Sequence, residues 1–221
     1  MQNPIPHLID DQTFWIFRER CLYWEAAHTL IIADLHLGKT GHFRKSGIAV
    51  PQDIYKADLQ RLMAMLYVCK AERLIIAGDF THSTINREME LFLKWRKDFS
   101  LLQIDLVRGN HDILDDEWYR EARVSVHDWE MEENGFLFRH ENKKQKTEER
   151  PGIRYTFTGH VHPGIVLRGS GKQSLKFPCF YFAHDHCILP AFSHFTGLFK
   201  VQPARGEVVY AITASEVLKL G

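Results

Sequence analysis

Two short, wholly apolar runs constrain the fold of this chain more than any other feature: Leu30-Ile31-Ile32-Ala33, which meets Asp34, and Leu74-Ile75-Ile76-Ala77, which meets Gly78-Asp79. Runs this short without polar alternation predict strands buried on both faces. Between them, over residues 51–70, Ile54, Ala57, Met65 and Cys69 recur at helical spacing with Leu62 and Leu66 between, and Pro51 suits a first helical turn. Met89, Phe92, Leu93, Trp95 and Phe99 predict a second helix over 87–99, and residues 104–107 a third strand. Strand–helix–strand–helix–strand requires right-handed parallel crossovers, in sheets whose working residues sit where strands end. Asp34, Asp79 and Asn110 occupy those ends.

Upstream, Phe14 and Ile16, then Leu22 and Trp24, alternate with polar residues and predict two strands feeding the first buried one. Beyond residue 120 the pattern turns to β, with segments at 124–129, 136–139, 154–158, 164–167, 174–183 and 208–213; Asn134-Gly135 is a hairpin signal. The polar stretch 141–151, with lysines followed by glutamates, reads as a solvated loop. At 221 residues the chain fits one domain over 1–221. Its 28 basic and 28 acidic residues exclude a global basic field, so any nucleic-acid contact must use a local patch. The four cysteines form no C-x-x-C pair and residues 1–10 carry no apolar signal segment, which predicts a reduced, cytoplasmic protein. No apolar stretch approaches the roughly 20 residues of a membrane span, so the membrane is not an expected partner.

Five separated fragments hold nearly all the metal-capable residues at predicted strand ends: Asp34-Leu35-His36, Gly78-Asp79, Gly109-Asn110-His111-Asp112, His140, and Gly159-His160-Val161-His162. In extended or tightly turning backbone, D-x-H and H-x-H place alternate side chains on one side, so two donors per fragment can face one point. Glycines before Asp79, Asn110 and His160 permit the close backbone approach of a crowded ion site. Imidazole, carboxylate and amide donors together suit zinc, iron, manganese or nickel better than calcium. Two such ions with a shared carboxylate can clamp the attacking and leaving oxygens of an in-line displacement.

This spaced signature, D-x-H, G-D, G-N-H-[DE], H, G-H-x-H, resembles that of the calcineurin-like metallophosphoesterases. The resemblance implies an α/β fold: a four-layer α/β/β/α sandwich of two mixed sheets flanked by helices. It further implies a hydrolase that cleaves phosphodiesters with water activated by two divalent cations, Mn2+ foremost, with Fe, Zn or Ni as alternatives. It assigns Asp34, His36, Asp79 and His162 to one metal and Asp79, Asn110, His140 and His160 to the other, with Asp79 bridging. His111 becomes the histidine that contacts the phosphate and assists the leaving oxygen, and Asp112 stands near enough to orient it.

The stretch 34–51, running through Gly38-Lys39-Thr40-Gly41-His42-Phe43-Arg44-Lys45 to Pro51, resembles the DNA-ligase-associated branch of that family, as do Gly78-Asp79-Phe80-Thr81-His82-Ser83 and Leu189-Pro190-Ala191-Phe192. That likeness implies a DNA phosphodiesterase or endonuclease of bacterial repair, with a DNA ligase or helicase as partner. Two other readings stand beside it, a phosphatase or pyrophosphatase of small nucleotides and a catalytically quiet scaffold, because one fold serves many functions. His82 either approaches the site or caps the following segment. Lys39, His42, Arg44 and Lys45 either guide a phosphodiester backbone or form an ordinary solvated loop. His7, His28, His127, His184, His186 and His194 lack a motif and read as surface or satisfied core residues, and Phe80, Phe92, Trp95 and Phe99 read as core.

Overall fold

In the computed structural model the N-terminal aromatic alternation folds as an antiparallel meander: β1 (Ile5–Ile9), β2 (Gln12–Phe17), β3 (Cys21–Trp24) and β4 (Thr29–Ile32). Residues 3–45, 47, 53–82, 84–142, 151–169, 171 and 173–221 are described. The chain continues through α1 (Lys39–Lys45), α2 (Asp53–Val68), β5 (Arg73–Ala77), α3 (Arg87–Asp98), β6 (Gln103–Val107), α4 (Asp116–Glu121) and β7 (Ser125–His127). Strands β4, β5, β6 and β7 run parallel, as the crossover pattern requires, and complete a seven-stranded sheet in the order β1-β2-β3-β4-β5-β6-β7.

The second sheet takes β8 (Glu130–Glu133), β9 (Phe136–Arg139), β10 (Tyr155–Thr158), β11 (Pro163–Arg168), β12 (Ser174–Phe182), β13 (His186–Ile188), β14 (Phe199–Lys200), β15 (Val208–Ile212) and β16 (Val217–Leu220). Asn134 and Gly135, at φ 52° and 81°, make the tight β8–β9 turn. The predicted segment 124–129 holds only β7, which joins the first sheet; the hairpin partner of β9 is β8, which begins after that segment. β9, β10 and β13 are parallel while the remaining long pairings are antiparallel, so both sheets are mixed.

The wholly buried strands separate two cores. Leu30, Ile32, Leu74, Ile76, Ile104 and Leu106 face the helices, against Leu62, Met65, Phe92 and Trp118. Ile31, Ala33, Ile75, Ala77 and Val107 face the other sheet, against Phe138, Phe157, Phe180 and Leu189. Phe80, Phe92 and Trp95 are core, as expected, and Phe99 packs against that core. The fold is therefore α/β, two mixed sheets with flanking helices; the described helices all come from the segment between β4 and β7. All four cysteines are free thiols, and no helix among the described residues is long and apolar enough to cross a membrane. Residues 143–150 of the stretch read as a solvated loop lie outside the described residues.

Candidate metal centre

Parallel strands deliver their C-terminal ends to one edge, and the five fragments meet there. Asp34 and His36 follow β4, Asp79 follows β5, Asn110 and His111 follow β6, His140 follows β9, and His160 and His162 follow β10. The first two loops continue the sheet's pairing beyond the strands. Asp34 N donates to Gly78 O (3.0 Å), His36 N to Asp79 O (2.9 Å), Leu37 N to Phe80 O (2.8 Å) and His82 N to Leu37 O (2.7 Å). Asp34, His36, Asp79, His160 and His162 all adopt left-handed backbone, φ between 49° and 66°. Non-glycine residues in that region are uncommon and strained, and they cluster where a surrounding structure holds them for a purpose.

Two groups of donors result. Asp34, His36 and His162 form one, Asp79, His140 and His160 the other, and within each group the ligand-capable atoms lie within 4.8 Å of one another. Each group draws on both sheets. His36 Nε2 stands 3.3 Å from His162 Nε2, and His162 Nε2 3.7 Å from Asp34 Oδ1. In the second group His140 Nε2 lies 3.0 Å from His160 Nδ1, 3.0 Å from Asn110 Oδ1 and 3.5 Å from Asp79 Oδ1. Asp79 sits between the groups, for its other oxygen is 4.0 Å from His36 Nδ1. The structure thus brings together all seven residues expected to bind metal.

The donors suit divalent cations. Burial pushes the His36 imidazole far below its ordinary range, with Lys39, His162, His82 and His111 adding to the effect, so its ring is neutral and has a lone pair to offer. Its Nδ1 is buried and accepts no hydrogen bond among the described residues. A buried, unpartnered ring nitrogen aimed at a carboxylate is costly unless something binds it. Burial raises the Asp79 carboxyl, against His140 and the His111 N–H that donates to Oδ1 at 2.9 Å. Four imidazoles, two carboxylates and one amide oxygen form a mixed donor set, of the kind that zinc, iron, manganese and nickel accept.

His111 lies beside the two groups, but Asp112 does not orient it, contrary to expectation. The Asp112 carboxylate is buried and accepts from Thr81 N (2.8 Å), Gly109 N (2.8 Å), Phe80 N (3.3 Å) and Thr81 Oγ1 (3.0 Å). It clamps the β5 and β6 loops together, because N–H groups from both loops converge on it. Burial pushes its carboxyl up to about 6 despite those donors. The ring against His111 is that of His82, at 4.3 Å between centroids and 32° between planes; His82 also meets His36 edge-on at 5.4 Å. Of its two sequence readings, His82 takes the first and approaches the site.

The basic stretch after His36 is a short helix, α1, rather than a solvated loop. Its opening turn is held by the buried carboxylate of Glu88 from α3, which accepts from Gly38 N (2.8 Å), Gly41 N (2.9 Å) and Thr40 Oγ1. Half-buried Lys39 lies at the site: burial lowers its ammonium while Asp79 and Asp34 oppose the shift. The motif-free histidines are spent elsewhere, His7 on Tyr210, His28 on Tyr23, His127 on Asp105, His186 on Asp185 and His194 on Arg61. His184 and His186 belong to neither donor group.

A family profile described as calcineurin-like phosphoesterase matches residues 27–147. The structure is similar to the crystal structure of Pseudomonas putida nuclease MPE, with 31% sequence identity, a TM-score of 0.82, and an alignment covering 99% of this chain and 100% of that one. No curated protein matches the chain by sequence.

Proposed function

The chain belongs to the calcineurin-like phosphoesterases, metal-dependent hydrolases of phosphoester bonds, and from that premise we propose that it is a phosphodiesterase acting on DNA, an endonuclease of bacterial repair. The observation that carries the reading is the pair of donor groups at one strand edge, with Asp79 between them and His111 alongside. The extension to nucleic acid is supported by the likeness to a nuclease over nearly the whole chain and by Lys39 at the site.

In this reading Asp34, His36, Asp79 and His162 hold one divalent cation, and Asp79, Asn110, His140 and His160 the other. Manganese is our first choice, with iron, zinc and nickel as alternatives. When bound, such a pair supplies Lewis acidity that lowers the pKa of water and neutralises phosphate charge. The protein's own part is positional. Burial keeps the His36 ring neutral and available to ligate. The Asp79–His111 backbone bond fixes the start of the His111 side chain. The imidazole then contacts a non-bridging phosphate oxygen and passes a proton to the departing oxygen. His82 packs on that ring and limits its rotation. The likeness of the stretch 34–51 to the DNA-ligase-associated branch of the family supports a cytoplasmic repair setting shared with a DNA ligase or helicase.

The test is manganese-dependent hydrolysis of bis-p-nitrophenyl phosphate beside p-nitrophenyl phosphate and single-stranded DNA, with Asp79→Asn as control. Cleavage of the diester and DNA, abolished by Asp79→Asn, is the expected result. Cleavage of the monoester alone would move the protein to the small-nucleotide phosphatases, and no cleavage with two cations bound would make it a scaffold.

A further inference from the structure

Trp129 is 85% exposed, whereas Trp24, Trp95 and Trp118 are buried. Among the described residues its indole makes no hydrogen bond or ring contact. Leaving so large an apolar surface in water forfeits its burial, so its position calls for a reason. Of the other exposed apolar residues, Leu101 between α3 and β6 and Tyr67 near the end of α2 stand where strands begin, at the edge away from the site.

Trp129 stands at the edge that carries the donors. β7 is parallel to β6 with Val107 opposite His127, and Arg108 N donates to His127 O at 2.8 Å, so β7 ends beside the loop bearing Asn110 and His111. On its other side the β8–β9 ladder ends with Glu130 opposite Arg139, joined by their side chains. The next residue on each strand is Trp129 and His140. Arg108 ties the two loops together, its Nη1 donating to Asp112 O (3.3 Å) and its Nε to Asp128 (3.3 Å). Ile113, 65% exposed, follows Asp112 in the loop that bears His111, and its N–H donates to His111 O at 2.9 Å.

From this placement we infer that Trp129 is a nucleobase subsite: a base next to the phosphate held at the donor groups stacks on the indole. The inference rests on the nucleic-acid reading of the site and names what that reading leaves open, recognition of an unstacked base beside a phosphate. Every base has a π-face, so such a platform favours single strands or frayed ends over paired DNA without selecting a sequence. The Arg108 contacts and the β8–β9 ladder hold the backbone that carries the indole, which lowers the entropic cost of binding.

The test is equilibrium binding, by fluorescence anisotropy, of a labelled phosphorothioate decathymidylate and of the same backbone lacking bases, alongside cleavage of single-stranded DNA and bis-p-nitrophenyl phosphate. Wild type is expected to bind the base-bearing strand about tenfold tighter than the abasic one. Trp129→Ala should erase that preference and lower the ratio of DNA to bis-p-nitrophenyl phosphate kcat/KM by a similar factor; Trp129→Phe should restore most of both, and Leu101→Ala should change neither. Equal binding of the two strands by wild type, or a preference that survives Trp129→Ala, overturns the subsite. If wild type prefers the base-bearing strand through Trp129 yet cleaves no DNA, the subsite stands and the nuclease reading falls.

Discussion

Gly78 lies directly beneath the His140 imidazole: a Cβ on Gly78 would stand 2.0 Å from His140 Nδ1. The same holds around the centre, since a Cβ on Gly109 would meet Asp79 Oδ1 at 2.3 Å and one on Gly159 would meet Asp34 Oδ2 at 2.8 Å. Each glycine preceding a donor makes room for a donor from another loop. Gly78→Ala also strains a backbone at φ 84°. It is expected to lower kcat/KM on bis-p-nitrophenyl phosphate by about 100-fold, the scale of an ångström's misplacement. Gly171→Ala, where a Cβ meets open space, should leave the rate alone.

Asp112→Ala is expected to act on stability first. It removes the acceptor shared by Thr81, Gly109 and Phe80 N–H groups and leaves those donors buried. The cost is about 3–5 kcal/mol, which lowers Tm by roughly 10 °C in a chain of this size. Differential scanning calorimetry reads it directly; a Tm within about 2 °C of wild type would show that the clamp contributes little.

His111→Ala is expected to reduce kcat by about 100- to 10,000-fold, the range of a lost general acid. Cation binding should persist, because no donor is removed. His82→Ala should cost less and act through the same step, since it removes the ring packed on His111 rather than the acid itself. Single-turnover rates beside isothermal titration with manganese separate the two effects.

Stability should fall on the acid side before the carboxylates protonate. Burial pushes His7 from its usual 6.5 down to about 4, Lys219 adding to it; burial, Arg61 and Arg20 do the same to His194. A histidine whose folded pKa is lowered contributes stability that is present above its unfolded pKa and lost as pH falls from there through the folded value. The window is therefore 6.5 down to about 4. Both side chains are partly in water, so each contributes only about 1 kcal/mol after screening. Urea titrations at about pH 7 and about pH 4.5 should show the acid loss shrinking by that amount in His7→Gln and again in His194→Gln.

The parallel half of the first sheet was legible because Leu30–Ala33 and Leu74–Ala77 admit few alternatives to buried strands. The donors were legible because motif residues stood at those strand ends. What the pattern missed depends on distant partners. α1 has a glycine within it and no acidic residue in its first turn, and its N-terminal groups are met by Glu88, far along the chain. β8 carries three glutamates around Met131, and only its ladder with β9 makes it a strand. β1 contains Pro6, which a strand tolerates at a sheet's edge, where β1 lies. Asp112 and His82 show the same limit at the site: adjacency to His111 in sequence suggested the carboxylate, whereas tertiary contact supplies the imidazole.

Because each donor triad takes residues from both sheets, the centre also measures how the sheets are aligned. A slip of one across the other by a fraction of an ångström would part Asp34 from His162 and Asp79 from His140 in the same movement. Phe14, Phe136 and Phe157, packed edge-on or tilted against one another between the sheets, therefore act as the bearing on which that alignment rests. Substitutions there would weaken cation affinity at both groups together while the chain is still folded, making ion binding a gauge of interior packing.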